Sequence, residues 1–215
     1  MIIRNILLVI LVSSPFCLFG QNIDLVSSEE IIRKSERLKE LYVKSISEED
    51  KDEYRLLFFN EFPNTFKEFH KLYGYGVAAG DFSYDSLSFP RPLYRDSYDH
   101  ISTFFDLDSV LEKDVFCGKL IRLSMGGVWD ADAVNYLKHS IQNILPKKIE
   151  TFSRLLSKYN DKQVKSFWYF YFDGPHPAEH LPEELNGIKE LDERIYILMK
   201  SALKEVQVAW GDHGH

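Results

Sequence analysis

Carboxylate and imidazole groups are concentrated in one short turn of the chain, DGPHPAEH (173–180). Asp173, His176 and His180 are residue types that bind zinc and related metals, and a metal held there could activate water for hydrolysis. The C-terminus adds a second group of the same types: Asp212, His213 and His215. One interpretation of the sequence is therefore a metal-dependent hydrolase that uses this turn.

The same turn also has a purely structural interpretation. Three prolines at 175, 177 and 182 extend the backbone, so His176 and His180 are not fixed on one helical face as they would be in an H-E-x-x-H motif. Asp-Gly-Pro is in addition a common turn sequence. We favour the structural turn over a metal site and predict no cofactor.

The longest irregular stretch of the sequence is YGVAAGDFSYDSLSFPRPLYRD (75–96), which lacks helical periodicity. Its aromatic residues argue against disorder, and long packed loops are often functional. It is either a structural loop or a loop that contacts a partner. In the second case the expected contact residues are Asp81, Tyr84 and Asp85, together with His176 of the turn, because aromatic residues dominate interface energetics.

Other residues whose types could take part in catalysis are better explained by structural roles. Asp130 and Asp132 resemble paired carboxylates, but at a predicted helix start they are expected to cap the helix or to complement its dipole. His70, His100 and His139 lie on predicted helices without a nearby nucleophile pattern, so we expect polar-face or satisfied core histidines. The sequence has no G-x-S-x-G elbow, phosphate-binding G-x-x-x-x-G-K-[ST] loop or H-E-x-x-H motif, which lowers the expectation of an enzyme.

The first twenty residues have the layout of a secretory signal peptide. A basic residue, Arg4, is followed by an apolar run and then by small residues before Gly20. The sequence predicts export, with the periplasm as the expected destination and release or a lipid anchor at Cys17 as alternatives. The mature chain, 21–215, would be a single helical domain without a membrane-spanning segment. It would retain one cysteine, Cys117, which is expected to be buried and inert.

The chain is acidic, with a net charge of −7 that becomes one unit more negative if Arg4 is removed with the signal. Lys147 and Lys148 form its densest basic pair, so the sequence predicts no nucleic-acid partner. A negative charge instead suits solubility or attraction of a basic protein partner.

The helical pattern predicts an all-α fold: an irregular bundle of about eight helices around a central aromatic helix. That helix contains six consecutive aromatic residues, Phe167 to Phe172, and Asn160 is positioned to cap it. Capping signals at Ser27 and Thr65 predict earlier helices. The helix that begins at Thr65 is predicted to end at Gly74, in the left-handed conformation. The last helix is predicted to run unbroken from about 183 to 210.

Three segments resemble a set of small, signal-peptide-bearing helical proteins of Gram-negative bacteria: FFNEFPNTFKEFHKLYGYG (58–76), MGGVWDADAVNYL (125–137) and SFWYFYFDGPHP (166–177). The resemblance covers most of residues 50–180 and implies no catalytic residues. By analogy, some small acidic proteins of this kind are periplasmic immunity proteins that neutralise toxins. We therefore predict a non-enzymatic binding protein, most concretely an immunity-type inhibitor, with the metal-dependent hydrolase as the alternative.

Overall fold

A computed structural model describes residues 28–47, 49, 51–75 and 91–211, and these residues form an all-α fold without a strand. The predicted fold class is thus confirmed. The predicted signal peptide and Cys17 lie outside the described residues, as do Asp81, Tyr84, Asp85, Asp212, His213 and His215. The helices are α1 (Ser28–Ser47), α2 (Lys51–Glu61), α3 (Phe66–Tyr73), α4 (Ser97–Asp106), α5 (Lys113–Ser124), α6 (Ala133–Ile144), α7 (Ile149–Leu156), α8 (Asp161–Phe172), α9 (Ile188–Leu191) and α10 (Glu193–Gly211).

The aromatic helix α8 begins where the sequence predicts it. Asn160 accepts a hydrogen bond from the Gln163 backbone N–H at 3.0 Å, and the Gln163 side chain accepts one from the Asn160 N–H at 3.2 Å. This reciprocal capping box satisfies two backbone donors that would otherwise lack a partner within the helix. The helix then packs against α5, α6 and α10, which bury most of its aromatic rings. It is therefore a central element of the hydrophobic core.

Two glycines allow the close approach of other elements to this core. At Gly127, an added Cβ would lie 2.5 Å from Phe170 and 2.9 Å from Phe66, so only a glycine fits between these two rings. At Gly74, an added Cβ would lie 2.6 Å from the His70 carbonyl oxygen and 2.7 Å from the His70 ring. Gly74 has φ −62°, so the expectation of a left-handed conformation there is wrong, and the close approach of His70 is what requires glycine.

The predicted unbroken final helix is also wrong, because the chain turns before α10. A 3₁₀ turn at Glu183–Leu185 and the short α9 precede Asp192, which has an extended backbone (φ −159°). The Asp192 carboxylate accepts a hydrogen bond from the Ile195 N–H at 3.1 Å and so caps α10. Aspartate favours such a cap over a helix interior, which explains the break at this residue.

Cys117 of α5 is fully buried, as predicted. Burial raises the pKa of its thiol to about 11, so the thiol stays protonated at neutral pH. This environment is typical of a structural cysteine.

Candidate functional site

The Asp173 carboxylate is a structural acceptor rather than an open ligand. Its side chain is only 4% exposed, and it accepts hydrogen bonds from the Trp129 backbone N–H at 2.6 Å and the Trp210 indole N–H at 2.7 Å. The Lys138 ammonium donates to the Asp173 carbonyl oxygen. These bonds join the end of α8 to α6, α10 and the segment before α6, so Asp173 holds four parts of the chain together.

The residues of the predicted metal site do not form a ligand set. Among the residues that the structure describes, no three His, Cys, Asp or Glu side chains are grouped so that they could hold a metal ion. His176 and His180 are exposed, whereas Asp173 is buried in the bonds described above. The geometry of this turn agrees with its structural interpretation and gives the hydrolase alternative no support.

His176 lines a cleft of about 510 Å³ between α6 and the residues that follow α8. Polar groups in its wall are engaged in internal bonds: the Trp129 indole N–H donates to Asn135 at 3.1 Å, and the Gln142 amide donates to the Tyr171 carbonyl oxygen at 2.8 Å. Burial lowers the pKa of Lys138 in the same wall. The exposed His139 also lines this cleft, on its α6 side.

A second region combines exposed aromatic rings with an exposed carboxylate, and we call it the tyrosine surface: Tyr75, Tyr94, Tyr98, Tyr136 and Asp132. The rings of Tyr75 and Tyr94 have centroids 5.2 Å apart, and those of Tyr98 and Tyr136 are edge to face at 5.4 Å. Tyr98 is 64% exposed, Tyr75 45% and Tyr136 38%. The Tyr94 hydroxyl bonds the Asp132 carboxylate, and the Asp132 carbonyl oxygen accepts a hydrogen bond from the Tyr136 N–H at 2.8 Å, so Asp132 links the two pairs of tyrosines into one surface.

Asp132 contacts one residue of each tyrosine pair and has an unusual backbone conformation. It is a non-glycine residue with φ +31°, a sparsely populated conformation that often marks functional sites. It occupies the N-cap position of α6 but its side chain makes no capping bond; it accepts a hydrogen bond from the Tyr94 hydroxyl instead. That bond raises the pKa of Tyr94 to about 12. The side-chain cap expected at Asp132 is therefore absent, whereas its position at the N-terminus of α6 agrees with the other expectation, that it complements the helix dipole.

The Asp130 carboxylate forms hydrogen bonds with residues beside and within the tyrosine surface. One carboxylate oxygen is 3.0 Å from His70 Nε2 and accepts a hydrogen bond from the Tyr75 N–H at 2.9 Å; the other accepts one from the Ala131 N–H at 2.7 Å. Asp130 therefore does not cap α6, but its role is structural, as expected, rather than catalytic. Its carboxylate instead ties α3 and Tyr75 to the chain segment that leads into α6.

A second buried hydrogen bond joins α3 to α4, where the Tyr73 hydroxyl and His100 Nδ1 are 3.0 Å apart. Burial lowers the pKa of His100 to about 4, and the His100 ring packs against Tyr42 and Phe58. His70 and His100 are both buried and hydrogen-bonded, so the expectation of satisfied core histidines is confirmed for these two.

The predicted contact residues Asp81, Tyr84 and Asp85 fall outside the described residues, but the two ends of their loop are described. Tyr75, at one end, belongs to the tyrosine surface. At the other end, the Leu93 N–H donates to the Leu72 carbonyl oxygen at 2.8 Å. Both ends of the predicted contact loop are therefore anchored beside the tyrosine surface.

Sequence reasoning did not identify Tyr94, Tyr98 or Tyr136 as site residues. A partial signal is present, because Tyr94 and Tyr98, like Asp132 and Tyr136, are four residues apart. Such spacing places side chains on one helical face, but it does not reveal that two such faces meet. They meet because α4 packs against α6.

Together, the fold and the site define an all-α protein that presents a tyrosine-rich surface. No protein-family model, curated protein or solved structure matches the chain. Within the part of the chain that the structure describes, no helix is both long enough and apolar enough to cross a membrane.

Proposed function

We propose that this protein is a non-enzymatic binding protein of an exported compartment, most concretely an immunity-type inhibitor that binds and neutralises a bacterial toxin. The observation that carries the proposal is the continuous tyrosine surface at the anchored ends of the 75–96 loop. Tyrosine is enriched at binding hot spots because its ring is large and rigid and its hydroxyl can hydrogen-bond.

The rigidity of the surface supports this role. Asp130 fixes the backbone at Tyr75 and Ala131, and the Asp132 carboxylate fixes the Tyr94 hydroxyl. Side chains held in place before binding lose less conformational entropy when a partner docks. The acidic charge of the chain adds support for a protein partner.

The proposal predicts that a secreted toxin is encoded beside the gene for this protein. Cells that produce this toxin should grow when the wild-type protein is co-produced, and the two proteins should co-purify. Replacing Tyr94 and Tyr136 with alanine should weaken the complex by at least about 30-fold, the scale of hot-spot residues. Growth protection should be lost in parallel.

The matched control is Ile197→Ala on α10, because Ile197 is 58% exposed and lies outside the tyrosine surface. This variant should protect cells as the wild type does. The proposal fails if the neighbouring toxin neither binds the wild-type protein nor is neutralised by it.

A further inference from the structure

The interface between α2 and the helices that follow it contains a buried base, Lys119 of α5. Lys119 is only 3% exposed, and its side-chain nitrogen donates a hydrogen bond to the Phe59 carbonyl oxygen near the end of α2. In a continuing helix that carbonyl would accept from the backbone N–H four residues on, but Pro63 has no N–H. Lys119 therefore takes the place of the missing donor and ties α5 to the end of α2.

The other contacts of the Lys119 nitrogen are aromatic. It lies 4.7 Å from the centroid of the Phe59 ring and 6.0 Å from that of Phe104, and these two rings stack on each other. Burial among such groups disfavours the charged form of a lysine. The pKa of Lys119 is accordingly lowered to about 7.

The charged groups that face Lys119 act on it only from a distance. Lys34 of α1 and Arg122 of α5 oppose its ionisation. Glu61 of α2 and Glu68 of α3 favour it, but Glu68 is already paired with Lys34 at 2.5 Å. Within the described part of the chain, the Lys119 nitrogen thus has rings and a carbonyl oxygen as contacts but no carboxylate partner.

A second buried base, His100 of α4, lies at the same interface. It is 1% exposed, and its ring packs against Tyr42 of α1 and Phe58 of α2. Burial is the main cause of its lowered pKa. The charged groups that act on it are Asp96, Asp99 and Lys39. Because Phe58 and Phe59 are neighbours in the sequence, the two buried bases contact adjacent residues of α2.

Helices α1 and α2 pack mainly against each other, so they can be considered as one pair. The pair is joined to α4 by ring stacking: Phe59 and Phe62 lie 5.3 and 4.3 Å from Phe104 between ring centroids. Any opening of this interface transfers Lys119 and His100 towards water. A base that is exposed to water binds a proton more readily than one that is buried among rings.

We propose that the α1–α2 pair is a proton-sensitive element of the fold, which separates from α4 and α5 more readily as Lys119 and His100 take up protons. This inference concerns a different part of the molecule from the tyrosine surface and does not depend on the proposed function. It assigns a conformational role to two buried bases on neighbouring helices.

The pH range follows from the two states of each base. An exposed lysine is half-protonated at about pH 10.5, whereas buried Lys119 reaches that point only at about pH 7. The open arrangement therefore binds more protons between these values, and opening is increasingly favoured as the pH falls from 10.5 to 7. The same argument for His100 gives a second range, from pH 6.5 to 4.

Hydrogen exchange of backbone amides in the purified protein tests the inference, because exchange detects rare openings helix by helix. After correction for the intrinsic exchange rate at each pH, the opening constant of α1 and α2 should rise at least about tenfold between pH 9 and pH 7. At every pH it should exceed the opening constant of α8 and α10, since these helices need not separate when the pair does.

Lys119→Met should remove the rise between pH 9 and pH 7, whereas His100→Gln should leave that rise and reduce the one below pH 6.5. Lys119→Gln provides a second variant should Lys119→Met fold poorly, because its amide can still donate to the Phe59 carbonyl oxygen without titrating. Lys204→Met is the matched control, because Lys204 is an exposed lysine on α10, and it should keep the wild-type pH dependence.

Two results would overturn the inference. One is an undiminished rise between pH 9 and pH 7 in the Lys119 variants, which would mean that another group titrates. The other is exchange in α1 and α2 that is no faster than in α8 and α10, which would mean that the pair opens only when the whole protein unfolds.

Discussion

Two sets of aromatic side chains in this protein have opposite surroundings. The rings of α8 are packed on all sides: Phe167, Trp168 and Phe170 are at most 1% exposed. The tyrosines of the tyrosine surface instead touch one another and leave much of their area in contact with solvent. The first set stabilises the fold by removing apolar area from water, whereas the second retains area that a partner can still cover.

Two aspartates show the same contrast. Asp173 is buried and both of its carboxylate oxygens accept hydrogen bonds from tryptophan N–H groups. Asp132 is exposed and adopts a strained backbone conformation that directs its carboxylate to Tyr94. Residue type alone made Asp173 the stronger candidate for chemistry, but burial and bonding assign it to structure. Their surroundings thus separate a carboxylate that holds the fold together from one that stays exposed to solvent.

The largest effect is expected from truncating the interior set. Phe170→Ala should lower the free energy of unfolding by about 4 kcal/mol, because it removes a buried ring and leaves a cavity. Tyr98→Ala should change it by no more than about 0.5 kcal/mol, because Tyr98 is largely exposed. Urea denaturation of both variants measures the difference. Similar losses in the two variants would show that the contrast between the interior and the surface is wrong.

A large acid-dependent loss of stability is expected from His100. Its pKa is about 4 in the folded protein, against about 6.5 in the unfolded chain, so the unfolded chain binds a proton first as the pH falls. The stability associated with neutral His100 is fully present above pH 6.5 and is lost as the pH falls towards 4. The loss should approach about 3 kcal/mol over this window.

The measurement is the free energy of unfolding as a function of pH for the wild type and His100→Gln. The glutamine variant starts from a lower stability at neutral pH, but it should lose less on acidification because it lacks the titrating group. If the curve of the variant runs parallel to that of the wild type between pH 6.5 and 4, His100 is not the source of the acid-dependent loss of stability.

Asp173→Ala should lower the free energy of unfolding by about 2 to 3 kcal/mol, because the Trp129 and Trp210 N–H donors would lose a charged acceptor within the protein. Asp173→Asn should cost less, since the amide oxygen can still accept one of these bonds. The exposed control Asp132→Asn should stay within about 0.5 kcal/mol of the wild type. Thermal and urea denaturation would show the order, and an Asp132 variant as unstable as the Asp173 variant would refute it.

The smallest of these effects should come from a single methyl group. Gly127→Ala is expected to lower the free energy of unfolding by about 2 kcal/mol, because the new Cβ would overlap Phe170 and Phe66 and force the core to shift. Gly211→Ala is the control, because no described atom lies within 4 Å of the added Cβ there. Equal stability of the two variants would mean that the core around α8 has room to adjust.

Local sequence signals predict the helices well but not the site. The cap at Asn160 and the burial of Cys117 follow from neighbouring residues, and the structure confirms both. The hydrogen bond between His70 and Asp130 joins residues 60 positions apart, and the tyrosine surface depends on the packing of α4 against α6. No periodicity within one helix encodes such contacts, because they depend on how separate helices pack together.

The chain is anchored by backbone hydrogen bonds on both sides of residues 76–90. The Tyr75 N–H bonds Asp130 at one end, and the Leu93 N–H bonds Leu72 at the other. The entropic cost of closing a loop between fixed points grows slowly, by about 0.6 kcal/mol for each doubling of its length. Chain entropy alone therefore sets only a small penalty on lengthening the sequence between these two fixed points, and Tyr75 and Leu93 are each held by their own bond to the helical scaffold.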